Sequence, residues 1–142
     1  MANMEPLVLY VDGFWNSPYA FSVFVCLKEK GLAFETREVN LHEQAQKTPD
    51  FKAKSLTARV PVLEQGSFRL SESSAIVEYL EETFAPPRYP AMLPASPRDR
   101  ARARQIMAWI RSDLVRKLSS TNAERPLPSS FFAWKLPFGR DA

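Results

Sequence analysis

The chain has 142 residues, 45% of them hydrophobic and 25% charged, which excludes a disordered or low-complexity protein and allows one ordinary core plus an appendage. The formal net charge is +3, and the excess is concentrated in four arginines at alternate positions: Arg98, Arg100, Arg102 and Arg104. Arginines at every second position spread around a helix axis instead of forming one stripe, so we expect a solvated helix start; a nucleic-acid accessory that uses the arginine run is the weaker alternative.

Few residues are available for metal or disulfide chemistry. The chain contains one cysteine, Cys26, and one histidine, His42, which allow neither an internal disulfide nor a clustered zinc-ligand set. The N-terminal residues MANMEP carry no basic region of a signal peptide, and no apolar stretch approaches the length that spans a membrane. We therefore expect a protein of the reducing cytoplasm that uses neither a metal nor a membrane.

The first part of the chain predicts a strand followed by a helix. The compact apolar run from Leu7 to Val11 is typical of a buried central strand, which an Asp-Gly pair ends. Ser17 followed by Pro18 is a favoured helix start, and Gly31 stands where a left-handed C-cap ends a helix. We predict this helix from residue 18 to residue 30.

The middle of the chain predicts a second strand and a hairpin. Residues 34–41 have strand formers of mixed polarity, which indicate an edge or half-exposed strand. Residues 42–58 are polar and weakly periodic, and we interpret them as a loop with room for one short helix. Residues 60–63 and 67–70 flank the turn signal Gln65-Gly66, a pattern typical of a short antiparallel hairpin.

A helix with one apolar stripe follows the hairpin. Ser71 is a suitable N-cap, and apolar residues then recur at three- and four-residue spacing: Ile76, Tyr79, Leu80 and Phe84. The predicted order over residues 1–84 is therefore β-α-β-β-β-α, an α/β domain.

Prolines interrupt the chain after this helix, and a new unit follows them. The prolines are Pro86, Pro87, Pro90 and Pro94, and they predict an interdomain linker over residues 85–95. Residues 97–118 predict a helix with an apolar stripe made of Ala103, Ile106, Met107, Ile110, Leu114 and Leu118. We therefore expect an incomplete C-terminal helical region over residues 96–142, whose last part shows no periodic element.

Residues 7–84 resemble the N-terminal domain of glutathione S-transferases. The resemblance is carried by GFWNSPYAFSVFVCLKEKG at 13–31 and RVPVLEQGSFRLSESSAIVEYLEE at 59–82. Three motifs agree in order and spacing: Ser-Pro after the first strand, Val-Pro opening the hairpin, and Glu-Ser opening the next helix. The resemblance implies a thioredoxin-like fold followed by the start of an all-α domain.

The resemblance also implies a glutathione site. In serine-type members the hydroxyl before the first helix stabilises the glutathione thiolate, and the matching residue is Ser17. Val60 and Pro61 match a cis-proline dipeptide that binds the cysteinyl backbone, and Glu72 and Ser73 match the pair that holds the γ-glutamyl end. Three basic residues could face the glycine carboxylate: Lys47, Lys54 and Arg59.

Each of these residues also has a purely structural interpretation. Ser17 could only cap its helix, Pro61 could be a trans proline that opens an edge strand, and Glu72 could be a favourable first-turn charge. Cys26 lies inside the predicted helix and not before it, so we expect a small buried hydrophobe and no thiol nucleophile.

The chain departs from the family after the linker, where complete members add a bundle of several helices that forms most of the pocket for the second substrate. The segment ARARQIMAWIRSDL resembles only the first helix of that bundle. We expect either a truncated or divergent product, or a short form that recovers its missing partner by dimerising. The resemblance implies a glutathione transferase, with glutathione as co-substrate, a small electrophile or peroxide as second substrate and a homodimer as assembly; the alternative is a noncatalytic glutathione-binding or interaction module.

Overall fold

The computed structural model describes residues 5–114 of the chain. Its elements are β1 (Leu7–Asp12), α1 (Pro18–Glu29), β2 (Phe34–Val39), a 3₁₀ turn (Ala45–Lys47), α2 (Pro49–Lys54), β3 (Val62–Gln65), β4 (Phe68–Ser71), α3 (Ser73–Thr83), α4 (Pro97–Trp109) and a π-helical segment (Ile110–Leu114). The thioredoxin-like α/β class is confirmed, and the predicted β-α-β-β-β-α order holds with one addition, α2 between β2 and β3. Two short helical pieces occupy the segment that the sequence predicts as a loop with one short helix.

The four strands form one mixed sheet in the order β2-β1-β3-β4. β1 pairs in parallel with β2 and antiparallel with β3, and β3 pairs antiparallel with β4. All six residues of β1 are buried, as expected for a central strand whose apolar run is not interrupted by polar residues. Four of the six residues of β2 are exposed, which agrees with the predicted edge strand.

The side chains of β1 alternate between two hydrophobic clusters. Leu7, Leu9 and Val11 belong to the larger cluster, which α1 and α3 complete with residues such as Val23, Leu27, Ile76 and Leu80. Val8 and Tyr10 point to the other face, where Phe51 of α2 covers them. This alternation follows from the two-residue period of a strand, and it covers both faces of the central strand.

The N-cap predicted for α3 is wrong by one residue. Ser71 still pairs with Val62 at the end of β4, and its Oγ accepts a hydrogen bond from the Leu56 amide at 3.2 Å. Glu72 occupies the N-cap position, without a capping hydrogen bond from its side chain. The sheet keeps Ser71 in register, so the helix begins only at Ser73.

Two buried charges fix the proline-rich segment after α3. Lys30 at the end of α1 and Glu81 of α3 form an ion pair of 2.7 Å. Lys30 Nζ also donates to the carbonyls of Phe84 and Pro90, at 3.0 Å each. The Glu81 carboxylate accepts from the amides of Met92 and Leu93. The linker therefore has no regular structure, yet its backbone is bonded to both helices.

Three of the four arginines of the run are exposed, as expected for a solvated helix start, and two of the four make bonds outside α4. Arg104 makes a bidentate pair with Glu78 of α3, at 2.8 and 2.7 Å, and Arg100 Nε donates to the Pro94 carbonyl at 2.9 Å. The two arginines lie four residues apart, so they share one side of α4, and both bond to groups outside that helix.

The contacts divide the chain between Met107 and Ala108. In the first unit, Met107 packs against the main core cluster. In the second unit the structure describes only residues 108–114, where Trp109 and Ile110 are exposed. Residues 115–118 of the predicted helix and the aromatic residues at 131–138 lie outside the described residues, and the domain boundaries at residues 84 and 95 stay predictions.

Within residues 5–114, no helix is both long enough and apolar enough to cross a lipid bilayer.

Candidate functional site

The strand register brings the three motif segments to one edge of the sheet. Val62, the first residue of β3, lies opposite both Tyr10 of β1 and Ser71 of β4. The end of β1, the residues before β3 and the end of β4 therefore meet at the same edge. Ser17 follows the first, Val60 and Pro61 form the second, and Glu72 and Ser73 follow the third.

The same edge receives the N-termini of two helices. β1 and β4 run in the same direction because each is antiparallel to β3, and α1 and α3 follow them. The first backbone N–H groups of a helix lack intrahelical partners, and they carry the positive end of the helix dipole. Two such ends at one edge make it suited to negatively charged ligand groups, such as a thiolate and a carboxylate.

Ser17 caps α1 and keeps a free donor function in doing so. Its Oγ accepts a hydrogen bond from the Ala20 amide at 3.2 Å, and the residue is half-buried. A hydroxyl that accepts through a lone pair still has its own proton to donate. Capping and thiol activation are therefore compatible at this one oxygen.

Asp12, the last residue of β1, organises the loop that leads to Ser17. Its carbonyl accepts from the Trp15 amide at 3.1 Å. Its carboxylate accepts from the Asn16 amide at 2.6 Å and from the Ser17 amide at 3.2 Å. Sequence reasoning treats Asp12 only as the end of a strand. The sequence signal that could identify this role is an acidic residue a few positions before a serine that begins a helix, because its carboxylate can accept hydrogen bonds from the backbone amides of the loop.

The Val60–Pro61 peptide bond is cis, the isomer that the resemblance implies. Pro61 is buried and Val60 half-buried. The loop before them is held by Ser55, whose Oγ donates to the Arg59 carbonyl at 3.1 Å and accepts from the Arg59 amide at 3.3 Å. The sequence does not single out Ser55 as a support of this loop, because its two bonds form only where the loop brings the backbone of Arg59 back to it.

Glu72 and Ser73 form the junction between β4 and α3. The Glu72 carbonyl accepts the first helical hydrogen bond, from Ile76 at 3.0 Å, and its side chain is exposed, whereas Ser73 is buried. Glu72 has φ 77°, a conformation that costs a non-glycine residue about 1–3 kcal/mol and is found mainly at functional sites. The surrounding junction therefore holds Glu72 in an unfavourable backbone conformation.

The three basic candidates occupy different surroundings. Lys54 is paired with Asp50 at 3.1 Å, and its amine lies over the ring of Tyr10. Lys47 donates to its neighbour Gln44 at 3.3 Å. Arg59 is exposed and precedes Val60 directly, which makes it the one of the three on the site's own loop.

Cys26 lies in the main core cluster. Desolvation raises the pKa of its thiol to about 11, although the nearby Lys30 acts in the opposite direction. A thiol with this pKa is protonated at neutral pH, and it is buried away from the sheet edge. The structure confirms the prediction of a small buried hydrophobe.

His42 packs against Phe14, with ring centroids 5.3 Å apart in an edge-on arrangement. Among the residues that the structure describes, no group of three or more histidine, cysteine, aspartate or glutamate side chains could hold a metal ion.

Comparison with known proteins connects this geometry to a family. The model of the glutathione S-transferase N-terminal domain matches residues 16–83, a range that contains all five predicted site residues. The chain belongs to the glutathione S-transferase family. The predicted resemblance is thereby confirmed.

Relatives of this chain carry different activities in their names. A probable maleylacetoacetate isomerase from Vibrio cholerae is 33% identical over 78% of the chain and 50% of the relative. Glutathione S-transferase U28 from Arabidopsis thaliana is 37% identical over 73% of the chain and 44% of the relative. The chain spans about half the length of the curated relatives it matches.

A solved structure shares the fold with higher identity. It is a glutathione transferase homolog from Burkholderia gl BGR1 with bound glutathione, 52% identical, with a TM-score of 0.70. The superposition covers 77% of the chain and 57% of that structure.

Proposed function

We propose that the chain binds glutathione at the sheet edge and that Ser17 stabilises the glutathione thiolate for attack on an electrophile. The observation that carries the proposal is the meeting of Ser17, the cis-proline dipeptide and the Glu72-Ser73 junction at the edge where two helices begin. Val60 offers its backbone to the cysteinyl part of the tripeptide. Glu72 meets the ammonium group, and Ser73 with the α3 N-terminus meets the γ-glutamyl carboxylate.

The chemistry begins with the loss of the thiol proton to solvent. A free thiol has a pKa of about 8.5 and is mostly protonated at neutral pH. The Ser17 hydroxyl and the α1 N-terminus both favour the anion. The thiolate sulfur then forms a bond to an electrophilic carbon, and the electron pair displaced from that carbon leaves with a leaving group or takes up a proton. The maleylacetoacetate isomerase among the relatives supports a second reaction, in which the same thiolate adds reversibly to an activated double bond.

The proposal is tested by calorimetric titration with glutathione beside a conjugation assay on a general aromatic electrophile. We expect binding and turnover in the wild type, and a loss of about 10- to 100-fold in turnover for Ser17→Ala, because hydrogen bonds to charged groups contribute about 1.5–3 kcal/mol. Ser17→Gly is a useful second variant, since glycine preserves the helix start to within a few tenths of a kcal/mol.

Ser22→Ala is the matched control. It removes a serine hydroxyl from the exposed side of the same helix, where Ser22 donates to the Tyr19 carbonyl, and it should leave turnover unchanged. Equal turnover in the wild type and both Ser17 variants would contradict the proposed role of that hydroxyl. Binding without turnover in the wild type would instead favour a noncatalytic glutathione-binding module.

A further inference from the structure

Three consecutive backbone amides converge on one residue just before the thiol-activating serine. The amides of Trp15, Asn16 and Ser17 donate to Asp12, the first to its carbonyl oxygen and the other two to its two carboxylate oxygens. Each oxygen of the carboxylate therefore has its own amide. The hydrogen bond from Asn16 is 2.6 Å long, a length typical of strong bonds to a charged acceptor.

The burial of Asp12 shows why these bonds matter. The residue is 3% exposed, and a buried carboxylate is tolerated only when hydrogen bonds compensate for its lost hydration. Trp15 adopts φ 55° within the same turn, a left-handed conformation that is unfavourable for a bulky residue. The turn is therefore held by its bonds to Asp12 and by the packing of the Trp15 ring against Phe24, and not by the local preference of its residues.

We propose that Asp12 is a positioning residue for Ser17, and this inference rests on the proposed function of that serine. The carboxylate fixes the Ser17 backbone at the point where α1 begins, and the Ser17 hydroxyl keeps its orientation toward the sheet edge through the Ala20 bond. The Asp12 carboxylate is buried and both of its oxygens accept from backbone amides, so its proposed role involves no contact with the thiol. It acts by holding the donor in place, and small displacements of such a group lower the rate strongly.

The two hydrogen bonds to the carboxylate explain why the residue at position 12 is an aspartate. Asparagine has nearly the same shape but presents an oxygen on one side and an NH₂ group on the other. It can therefore accept from only one of the two amides, and its NH₂ group faces an N–H donor at the other. Aspartate is the residue of this size that satisfies both amides.

A positioning role for Asp12 and a direct effect of its charge predict opposite shifts in the pKa of the glutathione thiol when Asp12 is replaced. A negative charge near a thiolate disfavours the anion, so removing it would lower the pKa of bound glutathione. Losing the position of the Ser17 donor would raise that pKa instead. We expect Asp12→Asn and Asp12→Ala to raise the thiol pKa of bound glutathione by about one unit, toward the value of the free thiol, measured from the ultraviolet absorbance of the thiolate against pH. An unchanged or lowered pKa would overturn the proposal.

A double-variant cycle tests whether Asp12 acts through Ser17. Once Ser17→Ala has removed the donor, Asp12→Asn should produce no further rise in the thiol pKa, because two residues that act as one unit are not additive. Additive rises would mean an independent role and would contradict the proposal. Asp50→Asn is the matched control, since Asp50 is an exposed carboxylate paired with Lys54, and it should leave the thiol pKa at the wild-type value.

Hydrogen exchange without glutathione separates this inference from the proposed function. In the wild type the Asn16 and Ser17 amides should exchange slowly, and in Asp12→Asn at least one of them should exchange about tenfold faster or more. Rapid exchange of both amides in the wild type would overturn the positioning role, whatever the activity. If Ser17→Ala leaves the thiol pKa unchanged while both amides are protected, the proposed function of Ser17 fails although the Asp12 turn exists, and the positioning role in catalysis fails with it.

Discussion

Lys30 Nζ lies 2.7 Å from Glu81 Oε2, and both side chains are almost completely buried. The pair joins the end of α1 to the last turn of α3. Each partner also bonds the backbone of the segment between residues 84 and 93. Four backbone groups without secondary-structure partners are satisfied by two side chains, so the pair determines the path of the chain after α3.

Removing one member of the pair should destabilise the protein strongly. For Glu81→Ala we expect the free energy of unfolding to fall by about 3–5 kcal/mol, because the Lys30 charge stays buried without its partner. Urea titration followed by circular dichroism measures this. The control is Asp50→Ala, which breaks the exposed Asp50–Lys54 pair and should cost less than about 1 kcal/mol.

Replacing both members by apolar residues should not restore stability. Buried ion pairs can often be exchanged for hydrophobic residues at little cost, but here Lys30→Met with Glu81→Leu would take away the side-chain partners of two carbonyls and two amides between residues 84 and 93. The bonds to the Phe84 carbonyl and the Leu93 amide are buried, and each buried group left without a partner costs about 1–3 kcal/mol. A double variant as stable as the wild type would show that the linker bonds contribute nothing.

Stability should fall at acid pH through Glu81. Burial alone raises the pKa of this carboxyl, but hydrogen bonds from Lys30 and from the Met92 and Leu93 amides outweigh it and place the pKa below its usual value. A lowered folded-state pKa gives stability that is complete above the unfolded value of about 4.3 and is lost as the pH falls through the folded value. The free energy of unfolding should therefore decrease more steeply below about pH 4.3 in the wild type than in Glu81→Gln. If the wild type and Glu81→Gln lost stability equally as the pH fell, Glu81 would not be the group responsible.

Glu72 should show a conflict between stability and binding. Glycine tolerates its positive φ better than any other residue, so Glu72→Gly should raise the free energy of unfolding by about 1 kcal/mol. Glu72→Ala removes the same carboxylate but keeps the strained backbone, so its stability should match that of the wild type. Both variants should weaken glutathione binding to a similar degree in calorimetry. If the two variants bound glutathione with very different affinities, the loss of binding would come from the backbone conformation at position 72 and not from the lost carboxylate.

Cys26 should resist thiol reagents in the folded protein. Burial raises the pKa of its thiol to about 11, so only a small fraction is the reactive thiolate at pH 8. An Ellman assay at that pH should show slow modification in the native state and rapid modification in denaturant. Rapid native modification would mean that α1 opens readily from the core.

Local patterns were sufficient for most of the fold. The apolar run of β1, the Ser-Pro start of α1 and the turn at Gly66 each depend on neighbouring residues only, and each prediction is confirmed. The start of α3 was missed because sheet register keeps Ser71 in β4, and register is a property of paired strands. The Lys30–Glu81 pair joins residues far apart in sequence, so no local pattern contains it.

The candidate site likewise has one part that the sequence predicts and another part that it does not. Its residue types follow from motifs with fixed spacing, whereas the supporting groups depend on how loops close. Asp12 looks like an ordinary turn residue until its carboxylate is seen to accept two amides. Ser55 likewise gains its role only when the backbone of Arg59 returns to it.

The edge strand β2 also bears on how the protein avoids aggregation. A sheet edge presents unpaired backbone groups that can recruit a strand from another molecule. β2 carries Glu35, Arg37 and Glu38 in exposed positions, and the Arg37 guanidinium bonds both Glu35 and the Tyr10 hydroxyl. A second chain that added to this edge would have to remove water from these exposed charged groups, which costs free energy. The strand composition therefore protects this side of the sheet against growth into fibrils.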